Sequence, residues 1–243
     1  MEKRKRYGTL FGIAVFFLLF LLQVLSGMAG SFVADRIPFE KIDPYDSFAR
    51  ISIHHAVITA ISVIVIVLMR KRLKIDFYIQ LGDKEKGKRY LGIFLLAFAL
   101  ISVAVHIFMR IFDRLPVYSF PLDKRNVIGT LGFQLLLSGP AEELLYRALP
   151  VSLLTYAFGR SIPITKNMTL EVFLASLLFS FAHTRWSLNP PVFEIDFFNV
   201  FYAFILGSIQ GTVYQKSKSI VYPVLMHSFS NVFMVGIGYL FSA

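Results

Sequence analysis

The chain has 243 residues, 56% of them hydrophobic and only 16% charged, against about 25% charge in an ordinary soluble domain. A net charge of +10 would suggest nucleic acid in a soluble protein. Here the basic residues sit in short loops beside apolar runs, so a lipid bilayer is the expected partner and nucleic acid is not. There are no cysteines, which excludes a disulfide framework, a thiol nucleophile and a cysteine metal site.

Several apolar runs of about 20 residues are each long enough to span a bilayer. They predict an all-α polytopic transmembrane helical bundle of seven spans, with room for an eighth, and an active-site cavity within the membrane. A basic cluster at 3–6 precedes the first run, 7–29. It is longer than a signal-peptide core, so an uncleaved helix is expected. The second run, 51–69, carries His54 and His55 near its start, read as polar residues at the interface. The loop 70–89 is the most basic. The third run, 90–112, holds His106, expected to make a hydrogen bond between helices.

The fourth run, 127–158, is interrupted by Gly139-Pro140-Ala141-Glu142-Glu143-Leu144-Leu145-Tyr146-Arg147. A charge at the centre of a bilayer costs on the order of 3 kcal/mol, which makes these residues functional candidates. Gly139-Pro140 predicts a break and a restarted helix, with Glu142 and Glu143 in its first turn at the positive end of the dipole. Arg147 lies four residues after Glu143 on the same face. This pair accounts for itself as scaffold and leaves Glu142 for chemistry.

The fifth run, 168–184, carries His183 in its last turn, and a loop with Asn189-Pro190-Pro191 follows as a turn. The sixth, 197–214, contains Gly207-x-x-x-Gly211, a close-packing pattern. The seventh, 219–241, places His227 and Asn231 four apart on one face. With the N-terminus inside, 16 of the 25 Lys and Arg fall in inside segments. An alternating topology puts Glu142 and His227 in the inner half of the bilayer, and His183 near the outer end of its span.

Glu142, His183, His227 and Asn231 suit hydrolysis. A carboxylate takes a proton from water, a histidine orients that water, and a His/Asn pair donates to a developing oxyanion. Alternatively, Glu142, His183 and His227 supply three ligands for zinc with an open position, although no H-E-x-x-H is present. Non-catalytic and transport readings also use intramembrane Glu and His. A transporter would show broken helices in both halves, and only one break is expected here.

The ordered set Glu142-Glu143-x-x-x-Arg147, Phe179-x-x-x-His183 and His227-x-x-x-Asn231 resembles the CPBP family. These are intramembrane proteases of the CAAX-processing and bacteriocin-processing type, also called Abi proteins. The resemblance divides one integral membrane domain into N-terminal helices, 1–126, and a catalytic core, 127–243. It implies that Glu142 and His183 activate water, that His227 and Asn231 stabilise the oxyanion, and that Glu143 and Arg147 support them. It implies a membrane-associated peptide or protein substrate: a prenylated C-terminus, a bacteriocin or pheromone leader, or a membrane-anchored regulator. The family is described both as metal-dependent and as a metal-free glutamate type. The metal-free mechanism, with no cofactor, is preferred because Asn231 is a poor zinc ligand. A non-catalytic immunity factor or peptide-binding scaffold of the same fold is the alternative. The expected location is a prokaryotic plasma membrane.

Overall fold

A computed structural model describes residues 8–188 and 191–242. The basic cluster at 3–6, and Asn189 and Pro190 of the expected turn, lie outside the described residues. Within them, helices follow in the order α1 (Thr9–Ala34), α2 (Ala49–Leu73), α3 (Lys84–Ile111), α4 (124–158), α5 (Leu170–Ala182), α6 (Phe197–Ser217) and α7 (Val221–Ser242). A two-stranded antiparallel hairpin, β1 (Arg185–Leu188) and β2 (Pro191–Glu194), joins α5 to α6. The chain is therefore an all-α polytopic bundle. Five helices, α1, α2, α3, α6 and α7, are long and apolar enough to cross a membrane. Their outward faces carry exposed Phe17, Leu18, Leu96, Leu100 and Phe201, a surface suited to lipid and unsuited to water.

The expected break at Gly139-Pro140 does not occur. Ser138 and Gly139 both have right-handed helical angles, and α4 runs through. Its interruptions are two π-helical turns, Gln134–Ser138 and Leu144–Ala148. Each ends two residues before a proline, Pro140 and Pro150. A proline deprives the carbonyl four residues earlier of its partner, here Leu136 and Tyr146, both within the π turns. In i+5 pairing that carbonyl passes to the next N–H along. An open break in lipid would strand backbone groups at several kcal/mol each, so widening the helix is the cheaper answer. Glu142 and Glu143 accordingly sit inside a continuous helix and not at a free N-terminus.

From Ser138 onward helix α4 is buried on nearly all sides, as a helix apolar all round must be. Leu145, Leu149, Val151 and Leu154 join Ile58 and Ile66 of α2, Val172, Ala175 and Leu178 of α5, and Tyr214 of α6 in one core. Its charged residues thus face protein. Gly139 allows α7 to come close: a Cβ there would stand 2.3 Å from Ser228 Oγ and 2.8 Å from the Val224 carbonyl. Gly207 and Gly211 do the same for α6 against α5, where a Cβ on Gly211 would reach Val172 Cγ1 at 2.9 Å. This is the close packing that the Gly-x-x-x-Gly spacing predicts.

The fifth element is shorter than expected. Helix α5 has 13 residues, about 20 Å, too little to cross a bilayer. It ends at Ala182, and His183, which caps it, lines the same cavity as Glu142. The alternating scheme, which carried His183 to the outer end of a full span, is corrected by this stop. His106 also differs in detail: its Nδ1 bonds the Ser102 carbonyl of its own helix at 2.7 Å. The start of α2 is clamped by Asp43 in the preceding loop, whose Oδ2 accepts from the Phe48 and Ala49 N–H groups, each at 2.7 Å. Burial would raise the pKa of Asp43, but these backbone bonds outweigh it and hold the carboxyl below its usual range.

Candidate active site

Three helices bring four polar side chains to one cleft. Glu142 comes from α4, His183 from the end of α5, and His227 and Asn231 from successive turns of α7. All four line a cavity of about 100 Å³, closed by Phe179, Tyr202, Leu206 and Gln210. A larger depression of about 590 Å³ lies over the loop 35–50 and holds the exposed Arg50–Asp35 pair. It has none of these groups, and its polar loop lining explains its openness.

The cleft is built from its base upward. Arg147 and Glu143 are both fully buried, with Arg147 Nη2 3.2 Å from Glu143 Oε1. The same Nη2 donates to Gln210 Oε1 at 2.6 Å, tying α4 to α6. The guanidinium carbon lies 4.0 Å above the centre of the Phe179 ring, a cation–π contact made strong by desolvation. Phe179 is thus the hub of its motif. Its ring also meets His183 edge-on at 4.6 Å and His227 at 6.1 Å. A phenylalanine four residues before His183 shields the ion pair below and walls the cleft above.

Glu143 does more than balance a charge. Its Oε1 accepts from His227 Nδ1 at 2.8 Å. That bond fixes the imidazole and turns Nε2 toward Glu142, 3.6 Å from Oε2. His183 is held by its Nδ1 to the Phe179 carbonyl at 2.9 Å, which leaves its Nε2 free of that carbonyl. Asn231 Nδ2 donates to Gln134 Oε1 at 2.9 Å and to Ser138 Oγ at 3.0 Å. Ser138 in turn reaches Glu142 Oε1 at 3.5 Å, a long contact. Both Asn231 N–H groups are therefore committed to the first π turn of α4.

Two residues in the site are missing from the sequence reading. His55 is no interfacial residue. It is buried, and its Nε2 lies 3.2 Å from Glu142 Oε1. The usable signal is the buried stripe of α2, where His55, Ile58, Ser62 and Ile66 fall at helical spacing. Gln210 is the other; a glutamine between two packing glycines in a span is itself an intramembrane polar residue.

Among the described residues, no three His, Asp or Glu side chains converge closely enough to form a metal centre. Glu142, His183 and His227 line one cleft, into which His227 turns its Nε2 while Glu143 holds its Nδ1.

The family model for type II CAAX prenyl endopeptidases, Rce1-like, matches residues 124–233, which include the whole cleft except His55. No curated protein and no solved structure matches the chain.

Proposed function

We propose that this chain, whose segment 124–233 belongs to the Rce1-like CAAX prenyl endopeptidase family, hydrolyses a peptide bond of a membrane-associated substrate without a metal. The observation that carries the reading is the convergence of Glu142, His183, His227 and Asn231 on one cleft inside the helical bundle.

In this mechanism Glu142 takes a proton from water while His183 Nε2 orients it. The hydroxide attacks the carbonyl carbon, and the proton passes to the leaving amine as the C–N bond breaks. The oxyanion lies toward α7. For His227 to donate there, both its ring nitrogens must carry hydrogen, since Nδ1–H is held by Glu143. Asn231 joins by releasing one of its two partners. Ser138 is the one to yield, because it only accepts from Asn231 and keeps its own hydrogen on Glu142 when that bond is released. Substrate binding and oxyanion stabilisation are coupled in this way through the π turn.

The test is cleavage of a membrane-associated peptide library by purified protein in detergent, wild type beside Glu142→Ala, with and without a strong zinc chelator. Turnover by wild type alone, unchanged by chelator, is the expected result. Loss with chelator and recovery with zinc would assign Glu142, His183 and His227 as ligands. Equal cleavage by both proteins would point to a contaminating protease.

The lysine and arginine bias further supports an N-terminus on the cytoplasmic side. The chain has no cysteine, so single introduced ones report sidedness cleanly. Cysteine at Lys86, in the basic stretch entering α3, should resist an impermeant thiol reagent in intact cells, and cysteine at Glu40 should react. The reverse pattern would invert the topology.

A further inference from the structure

We infer that His55 is a positioning residue that decides which oxygen of Glu142 acts on water. This role rests on the endopeptidase reading and adds to it a residue from outside the family-matched segment.

Helix α2 presents His55 on its buried stripe, with the ring set by two contacts. Its Nδ1 lies 2.9 Å from the carbonyl of Ile51, one turn back. Its ring meets Phe133 edge-on at 4.9 Å, with planes 83° apart. A carbonyl can only accept, so Nδ1 carries hydrogen there and the ring cannot turn over without losing that bond. Nε2 is thereby aimed at Glu142 Oε1, 3.2 Å away, and because a carboxylate oxygen also only accepts, Nε2 carries hydrogen as well as Nδ1 in this contact. Nδ1 of the adjacent His54, at 3.4 Å from Nδ1 of His55, is the longer and weaker alternative to Ile51.

The two oxygens of Glu142 consequently have different neighbours. Oε1 is held by His55, with Ser138 at longer range. Among the described residues, Oε2 has the His227 Nε2 as its near neighbour, at 3.6 Å, and stands at the cleft side where α7 presents its polar face. Glutamate has three rotatable bonds, and its carboxylate would otherwise sample several orientations. Tying Oε1 to a rigid ring on α2 leaves Oε2 as the working oxygen. A misplacement of about 1 Å at a reacting group can cost on the order of 100-fold in rate, which sets the scale of the effect.

The experiment compares His55→Gln with His55→Asn in the full chain, using the cleavage assay and thermal melting in detergent. Glutamine places an amide N–H near the position of imidazole Nε2 and keeps the bond to Oε1. Asparagine reaches only the position of Nδ1. Both are polar and smaller than or similar to histidine. We expect His55→Asn to lose about 30-fold in kcat with KM within about twofold, and His55→Gln to stay within about threefold of wild type. Equal kcat for the two variants, high or low, would overturn the role. So would loss of folded protein in both, which would make His55 a packing residue. No turnover by wild type would sink the endopeptidase reading, and this role with it.

Discussion

Glu142→Gln should abolish measurable turnover while leaving the protein folded. A positioned general base contributes about 10²- to 10⁴-fold, and glutamine cannot take a proton from water. The substitution is nearly isosteric, and its consequences for structure are small. The amide oxygen can still accept from His55 Nε2, and Ser138 loses only a 3.5 Å contact. The side chain is 20% exposed to the cleft, so the amide N–H₂ meets solvent and not a closed core. Melting in detergent should thus shift by a few degrees at most, while turnover falls below detection. Glu143→Gln makes the informative contrast. Its amide oxygen can still orient His227, but Arg147 loses the carboxylate that it pairs with, so stability should fall along with rate. Turnover retained in Glu142→Gln would remove Glu142 from the chemistry or expose a contaminating protease, whereas peptide binding that survives the change without turnover in either protein would favour a peptide-binding scaffold.

Much of the site could be read from local sequence, because an ionisable residue in an apolar run is conspicuous by its cost. Glu142, Glu143 and Arg147 stand out against 127–158, and His227 and Asn231 mark one helix face by their spacing. The ion pair at i, i+4 follows from helix geometry alone. What escaped depends on the solvent or on distance along the chain. Gly139-Pro140 reads as a break because water would satisfy the freed backbone groups. Lipid does not, and the helix widens into π turns instead. The segment 168–184 reads as a span because its composition is apolar throughout. Its helix stops after 13 residues, at the His183 cap, and the chain turns directly into β1 at Arg185, a stop that the apolar run itself does not announce. His55 pairs with a residue 87 positions away, and nothing in its own neighbourhood distinguishes it from His54. The two differ in which side of α2 faces α4, and a one-residue rotation of that helix exchanges them.

Arg147→Ala is expected to cost the fold more than any other single change in the site. The side chain is fully buried and serves three partners on three helices: Glu143 in α4, Gln210 in α6 and Phe179 in α5. Its removal leaves a fully buried carboxylate at Glu143 and an unpaired acceptor at Gln210 Oε1. Breaking a buried ion pair from one side costs about 3–5 kcal/mol, a large share of the roughly 5–15 kcal/mol that holds a typical protein folded. Low yield of folded protein and a strongly lowered melting temperature should follow, with activity lost as a consequence. The cause is separable from simple loss of packing. In Arg147→Met with Glu143→Gln, no charge is stranded, the methionine fills much of the volume against Phe179, and glutamine still accepts from His227 Nδ1. The double variant should therefore be more stable than Arg147→Ala by about 1–3 kcal/mol, the size of coupling found between groups sharing a network. A double variant no more stable than the single one would show that Arg147 holds the helices by its bulk, and that Glu143 finds another partner in its absence. A single variant with wild-type melting would mean that the charge at Glu143 is carried by His227 alone, and the base of the cleft would then be an imidazolium–carboxylate pair with Arg147 as bystander.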